Sequence, residues 1–505
     1  MDFQPVFEAA KLDSHKRVCV HQAVVEARLL SQGGVKIAKV LSIVTECRVT
    51  PSEVFNGEAR YNGRAGFRVI FVDTEGKNHS MEYNADFTDK LSSDCIKAGL
   101  KPALSANILD TDIVSVDERE LKLACVVEVA LDAVLSENLN VLTKGGENVY
   151  THEGSLEFSR LVAENTLNFT LTDQMDALNG EILLCEAKAV TLKRTAHLDS
   201  ILLEGNVICD VVCEDEEGML SQLRRVVPFA EEISAPDTRE DHAVLGTVSV
   251  HAHSATYETD GDKRAAALEF VLTAHVKSFA QESAEAVTDA FSVTNELQQT
   301  SQSFTVHACK HNATYQERVE GAVTLDVNMP IADSVLAVTA SKLNIASAAA
   351  HEGRIVCDGI VSANVLYYSA EQNLKNSVAV ELPFSLPLMF AEAAASDTVT
   401  AKGIVSSLAA KIQRGNEIVI KAEIEIEAAV SGVHTYSVIT ELALGEERVL
   451  PTAAFSVHIA KGGETLWDVA KALGLTPELV LTQNPGLSLP LAGGERVLGY
   501  RHLKR

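Results

Sequence analysis

The sequence predicts a mainly β chain: three tandem antiparallel β-rich domains followed by a small β-α-α-β unit. Three observations lead there. Apolar and polar residues alternate with a period of two through long stretches, one glycine-to-phenylalanine pattern recurs three times, and residues 462–486 carry the caps of two short helices. The expected divisions are β-domains at 1–140, 141–295 and 296–436, a linker at 437–454, and the helical unit at 455–503.

The alternation is clearest in "IVIKAEIEIEAAV", where Ile420, Ala422, Ile424, Ile426 and Ala428 share one face and Lys421, Glu423, Glu425 and Glu427 the other. That is the pattern of a strand with one face in a core and one in water. "LKLACVVEVALDA" repeats it with Leu121, Leu123, Cys125, Val127, Val129 and Leu131 inward. So does "LEFVLTAHVK", with Leu268, Phe270, Leu272, Ala274 and Val276.

These strands belong to a longer repeat. "NGRAGFRVIFVDTEG" from Asn62, "EGNVICDVVCEDEEG" from Glu204 and "DGIVSANVLYYSAEQ" from Asp358 each open on an acidic or amide residue and then glycine. A β-branched or aromatic strand and a polar turn follow. A phenylalanine then falls 24, 24 and 25 residues after the glycine, pairing Gly63 with Phe87, Gly205 with Phe229 and Gly359 with Phe384. Pro228 and Pro383 precede the last two phenylalanines, and the glycines are 142 and 154 residues apart. This unit resembles the SPOCS domain of endospore-forming bacteria, over most of the first 435 residues. The first copy departs from the pattern, with "NADF" in place of "xxPF" and Asn62 in place of the acid. The resemblance implies tandem domains that mediate protein assembly in the spore coat.

The final unit is legible residue by residue. Thr465 and Asp468 form a T-x-x-D capping arrangement before "LWDVAKALG". Leu466, Val469, Ala470 and Leu473 make one apolar stripe, and Gly474 sits where a glycine ends a helix. Thr476 then caps a second helix, with Pro477 at its first position and Glu478 at its positive end; Leu479, Val480 and Leu481 are its expected buried side, and "QNPG" stops it. Short strands, "FSVHIA" and "ERVLGY", flank the pair. The whole resembles a LysM domain, with Glu464 for the usual aspartate and Gly499 and Tyr500 for the usual "I-P" ending. LysM domains commonly bind N-acetylglucosamine polymers such as peptidoglycan. Carried over by position, the groove is lined by Gly463, Glu464, Thr465 and Leu466, faced by Asn484, Pro485 and Leu489. Three of these have a structural role of their own: Thr465 as cap, Leu466 as core, Asn484 as turn. Trp467, the chain's one tryptophan, falls off the apolar stripe and either packs on the terminal strands or forms a contact surface.

Composition narrows the function classes. The 505 residues carry a net charge of −27, which opposes nucleic acid and anionic membranes. Residues 455–505 hold six Lys/Arg against four acids, so this part is +2 and the first 454 residues carry −29. The mildly basic ending "GYRHLKR" suits an acidic partner surface. No basic n-region precedes an apolar run at the start, and no apolar run is long enough to span a membrane. Nine cysteines without a C-x-x-C pair read as free thiols of a reducing cytoplasm.

Catalytic signatures are missing. No phosphate-binding loop, dinucleotide fingerprint, H-E-x-x-H or G-x-S-x-G occurs, and no cofactor or enzymatic activity is expected. "HACKH" places His307, Cys309 and His311 at alternate positions of a strand, but a fourth zinc ligand is not evident. His251 and His253 repeat that spacing, Cys209 and Cys213 read as core, and "YETDGDK" around Gly261 reads as a turn, not a calcium loop. Tandem SPOCS-like units with a C-terminal LysM resemble coat morphogenetic proteins that attach the coat to the forespore surface and work with a coat-basement ATPase. The resemblance implies a non-catalytic scaffold in the mother-cell cytoplasm, at the forespore surface, whose LysM unit docks that partner. The alternative is a peptidoglycan- or chitin-binding protein that targets cell wall or cortex.

Overall fold

The computed structural model describes residues 3–176, 180–260, 263–414, 416–449 and 455–500. Strands dominate it. They fall into three six-strand repeats, each built from one large and one small three-stranded antiparallel sheet.

Repeat 1 runs through β1 (Val6–Leu30), β2 (Ile37–Phe55), β3 (Glu58–Asp73), β4 (Asn78–Ser92), β5 (Ala103–Val116) and β6 (Glu120–Lys144). Its sheets are ordered β1-β6-β5 and β2-β3-β4. Repeat 2 follows as β7 (Val149–Asp176), β8 (Glu181–His197), β9 (Ser200–Glu214), β10 (Leu220–Ser234), β11 (Ala243–Asp260) and β12 (Lys263–Ser292). Repeat 3 comprises β13 (Asn295–Thr324), β14 (Ser334–His351), β15 (Arg354–Ser369), β16 (Leu374–Met389), β17 (Thr398–Gln413) and β18 (Glu417–Glu447). The sheets of both keep the order of repeat 1, as β7-β12-β11 with β8-β9-β10 and β13-β18-β17 with β14-β15-β16. Residues 437–447, expected in a linker, are instead the end of β18, paired with β13 out to Glu447 against Asn295. Gly261 and residues 450–454 lie outside the described residues.

The alternating strands are the middle strands of the large sheets, so one side of each faces its repeat's core. Leu121 to Leu131 in β6, Leu268 to Val276 in β12 and Ile420 to Ala428 in β18 bury their inward side chains almost completely. The recurrent glycine and phenylalanine are cross-strand partners in the small sheets: Gly63 with Phe87, Gly205 with Phe229, Gly359 with Phe384. The spacing that differs by one residue is set by the turn. In repeats 1 and 2 Asp73 and Asp215 each accept two backbone N–H groups across the turn, at 2.8–3.0 Å, and a glycine takes positive φ (Gly76 85°, Gly218 77°). In repeat 3 a turn one residue longer bridges Ser369 and Leu374, with Asn373 at φ 53°.

The repeats do not sit apart as beads; each touches both others. Leu12, Leu139 and Val141 of repeat 1, Leu156, Phe158 and Ala286 of repeat 2, and Phe304, Val306 and Val438 of repeat 3 form one shared core. A second shared core joins the small sheets through Leu41 and Ile70, Leu184 and Val212, and Ala337 and Leu366. Equivalent elements of each repeat supply each cluster, so the body is a pseudo-threefold assembly within one chain.

That assembly corrects part of the alternation reading. Glu425 and Glu427 were expected outward in water, but both are buried, at 6% and 7% exposure. Glu427 pairs with Arg194 of repeat 2 at 2.9 Å and accepts the Thr191 N–H at 3.1 Å. The outer face of β18 is thus partly an inter-repeat seam. His253 likewise lies in the seam between repeats 1 and 2, 3.0 Å from Arg68 and 3.1 Å from the Cys185 carbonyl. Its burial lowers its pKa against the opposing pull of Glu46.

Candidate binding module

The C-terminal module consists of β19 (Phe455–Ile459), α1 (Leu466–Leu473), α2 (Pro477–Gln483) and β20 (Arg496–Tyr500), with β19 and β20 paired antiparallel. Its caps follow from its sequence. The Thr465 hydroxyl accepts the Asp468 N–H at 3.2 Å while Asp468 accepts the Thr465 N–H at 2.8 Å, a closed capping box. Those hydrogen bonds hold the Asp468 carboxyl below its ordinary pKa. Gly474 ends α1 in the left-handed conformation (φ 60°), and Thr476 caps α2 with Pro477 at its start. Val469, Ala470, Leu473 and Val480 form the small core with Val497. Leu479 and Leu481, expected on the buried side of α2, are exposed at 43% and 41%, because this short helix turns only Val480 toward the module core.

Gly463 occupies a tight turn at φ 88° that a Cβ-bearing residue rarely adopts. Glu464 is a turn residue: its carboxylate lies 2.8 Å from His458 Nε2 and accepts the Lys461 N–H at 2.9 Å, which lowers its pKa. Thr465 is the cap, and Leu466 packs on the module core. Asn484 is a structural peg, its side chain donating to the Val480 and Leu498 carbonyls and accepting the Leu498 N–H, each at 2.8 Å. Gln483 does the same for Tyr500 N–H and C=O at 2.7 and 3.0 Å. Together the two amides pair with β20 where a further strand would otherwise add. Pro485 and Leu489 are exposed, Leu489 at 52%. The turn before α1 and the loop after α2 meet through backbone hydrogen bonds, Ala460 N–H to Glu495 C=O and Gly494 N–H to Ala460 C=O, both 2.8 Å.

Trp467 goes elsewhere. The ring packs on the end of repeat 2. Its ring meets Phe291 edge-on at 4.8 Å and lies 5.4 Å from His152. Its indole N–H donates to Asp289 at 2.8 Å, and Lys471, one turn on, donates to both oxygens of the same carboxylate at 2.6 and 2.7 Å. Burial would raise the Asp289 pKa, but the Lys471 ammonium and the indole hold it below the ordinary value. A break in register between Val287 and Asp289 leaves Thr288 unpaired, and Asp289 follows it. Asp289, Phe291 and Lys471 were not singled out by sequence; the available signals were an acid inside an apolar strand end and a lysine four residues after Trp467.

The other candidate ligands are dispersed. A register break between Cys309 and His311 upsets the strict alternation of "HACKH", so Ala308 and Cys309 are both buried. Cys309 packs with Leu245 and Phe279, while His311 stacks on Phe390 at 4.4 Å. Among the described residues no three His, Cys, Asp or Glu side chains are grouped to hold a metal. Cys209 and Cys213 are core residues of repeat 2. Among the described residues no helix is long and apolar enough to cross a membrane. The ending Arg501–Arg505 lies outside the described residues.

No family model, no curated protein and no solved structure matches this chain.

Proposed function

We propose that the protein is a non-catalytic scaffold of sporulation, in the mother-cell cytoplasm, that helps assemble or anchor the spore coat on the forespore. In this reading the pseudo-threefold body supplies a rigid platform and the LysM-like module docks a coat morphogenetic protein, the coat-basement ATPase. The observation that carries it is the way the module is mounted. A capped helical unit sits at one end of an acidic body, held among the described residues by side-chain contacts, with its loops at 463–465 and 485–489 turned outward. The shared cores of the repeats support a platform function, since three separate domains would present contacts in no fixed relation to one another.

The second reading, glycan binding, is favoured by the exposed Pro485 and Leu489, apolar side chains suited to covering sugar faces. Isothermal titration of the full chain separates the two. Micromolar binding of chitin oligomers would sink the protein-docking reading. Binding of the coat ATPase, without glycan binding, would sink the second.

A further inference from the structure

Among the described residues, every hydrogen bond between the module and the body ends on one carboxylate, Asp289. Among the described residues no backbone hydrogen bond crosses that contact. The remainder is ring and apolar packing: Trp467 meets Phe291 and His152, and Leu466, Tyr150 and Val293 join the same cluster. Phe291 is itself fixed by stacking on Tyr150 at 5.5 Å. What the module reads on repeat 2 is therefore compact: an acid, a spacer and an aromatic residue along a strand end, Asp289-Ala290-Phe291.

The recognising side is equally compact. Trp467 and Lys471 are four positions apart on α1, so they project from one face. An indole and an ammonium side by side offer one apolar surface and two kinds of donor, a combination that selects a carboxylate beside an aromatic ring. The corresponding strand ends of the other two repeats lack the pair. Near β1 and β6 the residues are Val6, Phe7, Leu142 and Lys144, and near β13 and β18 they are Asn295, Leu297, Leu444 and Glu447. Repeat 2 alone presents an acid two residues before an aromatic at this end, and repeat 2 alone is engaged.

We propose that Asp289-Ala290-Phe291 is an internal stand-in for the module's partner, which presents the same acid-x-aromatic signature on an extended segment and displaces repeat 2 from Trp467 and Lys471. The proposal rests on the reading that the module docks a protein, and it names both the surface used and the chemistry of the segment that fits it. In the resting chain the surface is occupied, so the partner competes with a tethered copy of its own motif. Tethering gives the internal segment an effective concentration on the order of millimolar. A free peptide therefore binds the intact protein weakly and the unlatched protein better.

The test uses the full chain and its single tryptophan. Asp289→Ala, and Asp289→Asn as an isosteric second variant, are expected to move Trp467 emission to longer wavelength and raise its quenching by acrylamide. A synthetic peptide copying residues 285–294 is then titrated to about 10 mM, above the effective concentration expected of a tethered segment. It is expected to reverse the emission shift of Asp289→Ala and to leave the emission of the unmodified chain, whose Trp467 is already covered, unchanged. Peptides carrying Asp289→Asn or Phe291→Ala should fail to do so. Unchanged Trp467 emission in both variants would overturn the latch. An unlatched tryptophan indifferent to the peptide would overturn the recognition rule. Neither readout involves the coat ATPase, so failure here is distinguishable from failure of the docking reading.

Discussion

Phe229 lies directly across the β9–β10 hairpin from Gly205, and a Cβ on that glycine would fall 2.5 Å from the phenyl Cζ and 2.1 Å from the Val190 carbonyl oxygen. The aromatic ring covers the glycine while the neighbouring strand closes in from the other side. Gly359 repeats this with Phe384 at 2.6 Å and the Asn344 carbonyl at 2.5 Å; at Gly63 the three atoms nearest such a Cβ all belong to the Phe87 ring, at 2.2–2.7 Å. Gly205→Ala and Gly359→Ala therefore force backbone apart and are expected to cost about 2–3 kcal/mol each, whereas Gly63→Ala displaces a ring and costs about 1 kcal/mol. Urea unfolding of the three variants checks the order, and equal losses would contradict it.

The Arg194–Glu427 pair closes the seam between repeats 2 and 3, with side chains only 2% and 8% exposed. Burial pulls the guanidinium pKa down and Glu427 opposes it. Glu427→Ala leaves a buried cation without its partner and should destabilise by about 3–5 kcal/mol. An Arg194→Met/Glu427→Leu double variant should recover most of that loss. If it unfolds as readily as the single variant, the pair is a specific requirement of the seam and not merely a charge to be neutralised.

His15 has its pKa lowered to about 4, by burial first and by Lys277 and His275 next, with Asp132 and Glu164 pulling the other way. Its folded value lies below its ordinary one, so the stability its neutral form contributes is fully present above pH 6.5 and is lost as pH falls from 6.5 towards 4. Proton linkage caps that loss at about 3 kcal/mol. Thermal melts from pH 7 to pH 4.5 should show a fall in stability that His15→Gln flattens; an unchanged slope in the variant would assign the acid sensitivity to other groups.

Because Cys309 and His311 pack against different neighbours, EDTA or added zinc should leave the melting temperature unchanged. His311→Ala should still cost about 1 kcal/mol through loss of its stack on Phe390. A zinc-dependent rise in melting temperature would show that the register break at Lys310 rearranges to gather the ligands.

Local chemistry was readable in the sequence, and long-range closure was not. The capping box of Thr465 and Asp468, the left-handed Gly474 and the spacing of Gly205 and Phe229 each concern residues joined by one helix turn or one hairpin, where spacing dictates contact. Glu427 meets residues more than 230 positions away, and Trp467 meets one 178 positions away. The alternation that placed Glu425 and Glu427 outward identifies a strand's two faces, but it does not say whether a second repeat covers the outer one. For the same reason Trp467 could be recognised as off the apolar stripe without its destination being legible.

The scaffold reading is tested most directly by locating a fluorescent fusion of the full chain during sporulation, with and without residues 455–505. A shell of signal on the forespore in the mother cell, lost when the module is deleted, is the expected result. Diffuse signal in the intact fusion, or signal at the vegetative cell wall, would contradict it.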